Sequence, residues 1–289
     1  MFKKVAVFGL GLLGGSICRG LKKINADIRI SAFGRNPAKL EPALKERIVD
    51  EVGSFDNISL SGVKLAVVST PVDSSIDIIR RILSRGELDP DAIVIDVGSV
   101  KGKIIRSVES IERGGQFIGC HPMAGSEKMG YEYSRDDLFD GSSVIITPHA
   151  RNREGDVRAV MQFWEALKAL TVIISPEEHD IIMAYSSHLP HMVASSLVRV
   201  FYKFKQERGS GDFGAFIGKG FLDATRISSG SPDMWRDIVA LNRENILAAL
   251  DRMIEELRML RNAVSGPEAE TGPLHDYFRM AKSIRDGLK

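Results

Sequence analysis

The run His121-Pro122-Met123-Ala124-Gly125-Ser126-Glu127 places an imidazole in a short loop bearing proline and glycine. A neutral imidazole with an ordinary pKa near ~6.5 accepts a proton at neutral pH. Upstream lies a glycine-rich turn of the kind that cradles a pyrophosphate. Downstream come Ser186-Ser187-His188-Leu189-Pro190-His191 and then Gly220-Phe221-Leu222-Asp223-Ala224-Thr225-Arg226, ending on a guanidinium suited to a carboxylate. A proton acceptor, a carboxylate clamp and a cofactor cradle are the working parts of a hydride-transfer site. His188 and His191 stand three apart, but no acidic or cysteine ligand accompanies them at zinc spacing, so no metal is expected.

The glycine turn is specific because of where it sits. Strand residues Val5–Phe8 run into Gly9-Leu10-Gly11-Leu12-Leu13-Gly14-Gly15-Ser16, and a helical pattern follows. In this arrangement Gly9 makes the tight turn, Gly11 admits the pyrophosphate to the backbone, and Gly14 lets helix and strand pack closely. Leu12 and Leu13 open the helix whose N-terminus faces the phosphates. The second strand ends in Gly34-Arg35-Asn36, with no carboxylate where one would bind a ribose 2′-hydroxyl. Nothing there repels a 2′-phosphate and Arg35 offers it a partner, so NADP is expected to serve at least as well as NAD. Ser69-Thr70-Pro71 follows a third strand and is expected beside the nicotinamide ribose, although Pro71 reads equally well as a helix starter.

These residues need rigid elements to position them. Over residues 1–175, short β-branched runs (Val5–Phe8, Ile28–Phe33, Leu65–Ser69, Ile93–Val97, Phe117–Gly119, Val144–Thr147, Val172–Ile174) alternate with amphipathic stretches such as Ser74–Leu83, Lys103–Glu112 and Glu154–Leu170. That alternation predicts an α/β domain, a Rossmann-like doubly wound parallel sheet. Strand signals stop at Ser175-Pro176, and residues 176–289 read as an all-helical domain. One long helix is predicted from Pro176 to about Gln206 and another from Pro232 to Asn262. Their apolar faces predict a homodimer, with packing inside one chain as the open alternative.

Composition removes other classes. Lys and Arg total 39 against 38 Asp and Glu, so no basic field argues for nucleic acid. Cys18 and Cys120 cannot build a disulfide framework, which points to a reducing, cytoplasmic setting. No leader-like stretch opens the chain, and no run approaches the ~18 apolar residues needed to span a bilayer.

Taken together, the glycine fingerprint, Gly98-Ser99-Val100-Lys101, the His121 to Glu127 run, Ser187 to His191, and the Gly220 to Arg226 and Ser231 to Trp235 pair resemble the prephenate dehydrogenase family, including its arogenate-using and dual-specificity (cyclohexadienyl) members. The resemblance extends from Gly9 to about Ile238. It implies a Rossmann-like domain followed by a helical dimerisation domain, and NAD(P)-dependent oxidative decarboxylation of prephenate or arogenate in tyrosine biosynthesis. By the same resemblance, His121 is the catalytic histidine and Ser99 the serine that fixes its ring and the substrate hydroxyl. Arg226 binds a substrate carboxylate, His188 and His191 line the pocket, and Glu127 is a pocket acid. Tyrosine is an expected inhibitor near His191, and no regulatory domain is expected beyond residue 289.

Overall fold

The computed structural model describes residues 2–125, 130–209, 213–266 and 272–288. Eight strands form one sheet: β1 (Lys4–Phe8), β2 (Arg29–Gly34), β3 (Glu51–Ser54), β4 (Leu65–Val68), β5 (Ile93–Asp96), β6 (Phe117–Pro122), β7 (Ser143–Thr147) and β8 (Leu170–Ile173). Their spatial order is β3-β2-β1-β4-β5-β6-β7-β8, so the chain reverses direction across the sheet between β1 and β4. Helices α1 (Leu12–Ile24), α2 (Glu41–Lys45), α3 (Val72–Leu83), α4 (Gly102–Val108) and α5 (Glu154–Ala166) connect them.

Alternation along β1 shows how both faces become buried. Val5 and Val7 join the layer formed with Ile17 and Leu21 of α1 and with Val160, Phe163 and Trp164 of α5. Ala6 and Phe8 join the opposite layer, with Ile78, Ile79 and Ile82 of α3 and Ile104, Ile105 and Val108 of α4. A central strand covered on both sides therefore reads as a continuous apolar run.

The expected all-parallel sheet needs one correction. β6 and β7 pair antiparallel, with His121 opposite Ile145, and β7 then pairs parallel with β8. A parallel β7 would need a helical crossover after β6. The described part of that connection carries only a short turn at Tyr131–Tyr133. The sequence reading also ran α5 on to Leu170, whereas the helix ends at Ala166 and Lys168 takes a left-handed φ of 61°.

Beyond β8 the described elements are helical: α6 (Pro176–Met183), α7 (Leu189–Arg208), α8 (Lys219–Thr225), α9 (Pro232–Leu241), α10 (Arg243–Ser265) and α11 (Pro273–Gly287). Ser175 caps α6 by accepting from the Glu178 N–H, and Pro176 occupies the first turn, where its missing donor is not needed. Both long helices expected here are interrupted. Residues Ala184–His188 form a π-helical segment between α6 and α7. Pro190 lacks the N–H that an α-helix would direct at the Ser186 carbonyl, and the wider turn accommodates that loss. Asn242 separates α9 from α10, with φ −118° and ψ 30°.

By its internal contacts the chain forms two compact units, Met1–Asn242 and Arg243–Lys289. In the second, α10 and α11 pack on one another. No described helix is long and apolar enough to cross a membrane.

Candidate active site

The dinucleotide turn forms as its glycines require. Gly9 has φ +92°, and a Cβ there would lie 2.9 Å from Thr70 Cγ2 and 3.0 Å from the Ser69 carbonyl. A Cβ on Gly14 would lie 2.2 Å from the Gly9 carbonyl and 2.4 Å from Ser69 Oγ. Gly11 differs, because a Cβ there meets nothing within 4 Å. Gly11 is the N-cap of α1 and supplies no side-chain cap. The opening N–H groups of α1, at Leu12, Leu13 and Gly14, thus have no intrahelical acceptor beside an open space. That arrangement fits a pyrophosphate, for which the helix N-terminus provides donors and a favourable dipole. Ser69 Oγ ties the two loops together by donating to the Gly9 carbonyl at 2.6 Å. Thr70 Oγ1 is 3.0 Å from Ser75 Oγ, and Pro71 is the N-cap of α3, the helix-starting role left open above. At the end of β2, Gly34 is buried against Leu40 while Arg35 is exposed.

His121 lies on β6 itself, not in a loop, one residue before Pro122 ends the strand. The β5–β6 ladder pairs only Val94 with Phe117 and Ile95 with Ile118. Beyond it, side chains replace the main-chain bonds. Asp96, fully buried at the end of β5, accepts from the Cys120 N–H at 3.1 Å and the Gly98 N–H at 2.9 Å. Lys101, equally buried, pairs with Asp96 and donates to the Cys120 carbonyl at 2.7 Å. A buried ion pair therefore holds both backbone groups of the residue preceding His121.

His121 Nδ1 is 2.9 Å from His179 Nε2. His179 Nδ1 is 2.8 Å from Asp180 Oδ1. Asp180 also accepts from the Lys101 N–H at 2.8 Å and the Gly102 N–H at 2.9 Å. A Cβ at Gly102 would lie 2.9 Å from Asp180 Oδ2, so the carboxylate needs glycine at that position. Burial raises the Asp180 carboxyl, but the bonds from His179, Lys101 and Gly102 outweigh it and leave the group below its ordinary value. Burial, then the charges at His179, Lys101 and His188, push the His121 imidazole well below the usual histidine range. Burial also lowers His179, against the opposing effect of Asp180. Both rings are therefore neutral at neutral pH.

The helical residues supply a second group. His188 is buried; its Nδ1 is 3.2 Å from Asn242 Nδ2, and the same amide donates to the Asp180 carbonyl at 2.7 Å. Because the amide nitrogen only donates, His188 carries its proton on Nε2, a buried atom without a hydrogen-bond partner among the described residues. Burial brings the His188 imidazole down to about 4. His191 stacks on Trp235 with ring centroids 3.6 Å apart, and the Ile227 carbonyl supports its ring. Arg226 is exposed and opens the turn Arg226–Ser229, which packs on α7.

The structure thus gathers His121, Lys101, His179, Asp180 and His188 around the C-terminal ends of β5 and β6, with Ser99 half-buried on the loop between Asp96 and Lys101. The nitrogen of His121 that Ser99 was expected to fix is instead engaged by His179. Glu127 lies outside the described residues. Sequence reasoning missed His179, Asp180 and Asn242, and it quoted Lys101 without giving it a role. A signal was present: His179 and Asp180 share the buried side of a capped helix with Met183.

A reversing sheet with a glycine cradle at its switch point, and a buried neutral imidazole at the neighbouring strand end, define a nicotinamide dinucleotide-dependent oxidoreductase. Residues 17–173 match the family described as prephenate dehydrogenase, nucleotide-binding domain, and residues 175–280 match prephenate dehydrogenase, dimerization domain. Prephenate dehydrogenase of Bacillus subtilis is 35% identical, over 98% of this chain and 76% of that protein. The crystal structure of prephenate dehydrogenase from A. aeolicus in complex with hydroxyphenyl propionate and NAD+ is 33% identical, with a TM-score of 0.90 over 100% of this chain and 99% of that one. Synechocystis arogenate dehydrogenase is 26% identical, with a TM-score of 0.80 over 99% of this chain and 100% of that one. The chain belongs to the prephenate dehydrogenase family.

Proposed function

We propose that this protein oxidatively decarboxylates prephenate to 4-hydroxyphenylpyruvate, with His121 accepting the proton of the ring hydroxyl. The observation that carries the reading is the neutral His121 imidazole, anchored on a strand end beside the cofactor loops. The bound dinucleotide supplies the hydride acceptor. Gly9, Gly11, Leu12, Leu13 and Gly14 hold its pyrophosphate, and Ser69, Thr70 and Pro71 bound the neighbouring end of the site. As the hydroxyl carbon loses hydride, its proton passes to His121 Nε2, the nitrogen not engaged by His179. Loss of carbon dioxide makes the ring aromatic, so the protein's task is chiefly to orient the substrate and polarise its hydroxyl. Ser99, on the adjoining loop, orients that hydroxyl. Arg226 and the Nε2–H of His188 receive substrate carboxylates, and His191 on its Trp235 stack bounds the side-chain end of the pocket, where tyrosine competes.

NADP is favoured because Gly34 leaves no carboxylate at the end of β2 and Arg35 is exposed next to it. Residues 176–289 form the dimerisation half, a division supported by the two family matches meeting between residues 173 and 175. Exposed Leu197, Val200, Tyr202 and Phe204 on α7 support a homodimer. The arogenate-using alternative would need a partner for the substrate amino group, for which Asp223 is the described candidate.

One assay crossing prephenate and arogenate with NAD and NADP tests the whole reading. Prephenate-dependent reduction of NADP is expected, with catalytic efficiency at least equal to that with NAD. A tenfold preference for NAD removes the cofactor assignment, and turnover of arogenate alone removes the substrate assignment. Replacing His121 by Asn should lower kcat by ~10²–10⁴, the usual contribution of a positioned acid–base group, with cofactor binding unchanged.

A further inference from the structure

We propose that His179 and Asp180 are positioning residues that fix the tautomer of His121, keeping its proton on Nδ1 and its bare lone pair on Nε2. The inference rests on the reading of His121 as the hydroxyl's acceptor and extends it to residues that no resemblance picked out.

The argument runs outward from the carboxylate. Asp180 accepts three hydrogen bonds, from the N–H groups of Lys101 and Gly102 and from His179. An ionised carboxylate can only accept, so the proton on the 2.8 Å contact sits on His179 Nδ1. A neutral imidazole carries one proton, and His179 Nε2 is therefore a lone pair. His121 Nδ1 lies 2.9 Å from that lone pair and must be the donor. The remaining nitrogen, His121 Nε2, is then unprotonated, as a base requires.

The alternative arrangement, with a proton on His179 Nε2 directed at His121, needs His179 to be an imidazolium or to turn a lone pair toward Asp180. His179 has no exposed surface, and burial opposes its charge. Lone pair against carboxylate is repulsive in the same buried space. Lys101 reinforces the assignment, since its ammonium near both rings disfavours a second positive charge. Asp96 neutralises Lys101, and His188 faces the same space as a neutral ring.

Asp180 also connects this chain to the scaffold. Its two backbone donors belong to the loop that carries Ser99, and its own carbonyl accepts from Asn242, which in turn contacts His188. One residue thereby sets the protonation pattern of the base and the register of the loop and helix beside it. A fixed outer partner of this kind commonly contributes as much to function as a residue in the site.

The test uses two amides of different reach. His179→Gln places its amide near the position of Nε2 and can still accept from His121. His179→Asn places its amide near Nδ1 and cannot. The full-length wild-type protein and both variants are labelled with 15N-histidine, His121 is assigned by its loss in His121→Asn, and tautomers are read from the ring nitrogen shifts without substrate. Wild type and His179→Gln are expected to show His121 protonated on Nδ1. His179→Asn is expected to shift it toward the Nε2–H form and to lower kcat by ~10–10²-fold while leaving KM for substrate and cofactor little changed. A wild-type His121 protonated on Nε2 overturns the proposal without reference to any variant. Equal losses of kcat in Gln and Asn, with the tautomer unchanged, also overturn it and leave His179 a packing residue. If instead His121→Asn retains wild-type turnover, the role of His121 fails while the tautomer reading stands.

Discussion

Removing the ammonium of Lys101 is the most demanding test of how the site is built. Lys101 and Asp96 have no exposed surface, and together they hold the N–H and the carbonyl of Cys120. In Lys101→Met the Asp96 carboxylate keeps its bonds from Gly98 and Cys120 but loses its counter-ion, and the Cys120 carbonyl loses its donor. Breaking a buried pair from one side costs about 3–5 kcal/mol. In a chain of this length each kcal/mol moves Tm by roughly 2–4 °C, so a fall of about 6–20 °C is expected. Adding Asp96→Asn removes the uncompensated charge while keeping an acceptor for one N–H, and the double variant should recover more than about 1 kcal/mol. Urea unfolding followed by fluorescence of the buried Trp164 measures both differences. A single variant within about 1 kcal/mol of wild type, or a double variant no more stable than the single, refutes the claim that this pair anchors β6.

Three further outcomes follow from the same geometry. Because burial lowers His121, the acid limb of kcat/KM should lie below the ordinary histidine value of ~6.5, since activity is lost only as pH falls through the depressed value; a limb above it contradicts the assignment. Conformational stability should decline as pH drops from ~6.5 toward about 4, because the unfolded chain takes up protons that buried His121, His179 and His188 refuse; chemical denaturation at a series of pH values checks the sign. Gly14→Ala should weaken dinucleotide affinity, measured by cofactor titration, more than Gly11→Ala weakens folding, because only the Gly14 methyl collides with the turn. Arg226→Ala should raise the Michaelis constant for substrate more than tenfold, in line with the ~2–5 kcal/mol lost with one partner of a desolvated charge pair, and a defect in kcat alone contradicts its role as a clamp.

The central strands were legible because a strand buried on both faces has no polar positions to confuse the pattern, as in Val5–Phe8 and Leu65–Val68. β3 was not, since Glu-Val-Gly-Ser carries one β-branched residue and lies at the sheet edge. The glycine cradle could be read because Gly9 and Gly14 are demanded by local geometry. His121 was found but assigned to a loop, because Pro122 and Gly125 read as punctuation when Pro122 in fact closes a strand. The His179–Asp180 arm was hidden by its own helix start: Pro176, Glu177 and Glu178 explain a first turn so fully that the next two residues drew no attention. Asn242 was hidden for another reason. Its break between α9 and α10 is fixed by contacts with Asp180 and His188, far away in sequence, which periodicity along one helix cannot register.

The widened turn at Ala184–His188 has a consequence for tolerance to deletion. An α-helix advances about 100° per residue, so loss of any one residue there would tighten the spiral and swing the following helix by about that angle. His191 would leave its indole partner, and the aliphatic stripe ending at Phe204 would point in a new direction, although no side chain downstream had been altered. Phase, as much as composition, is what this segment preserves.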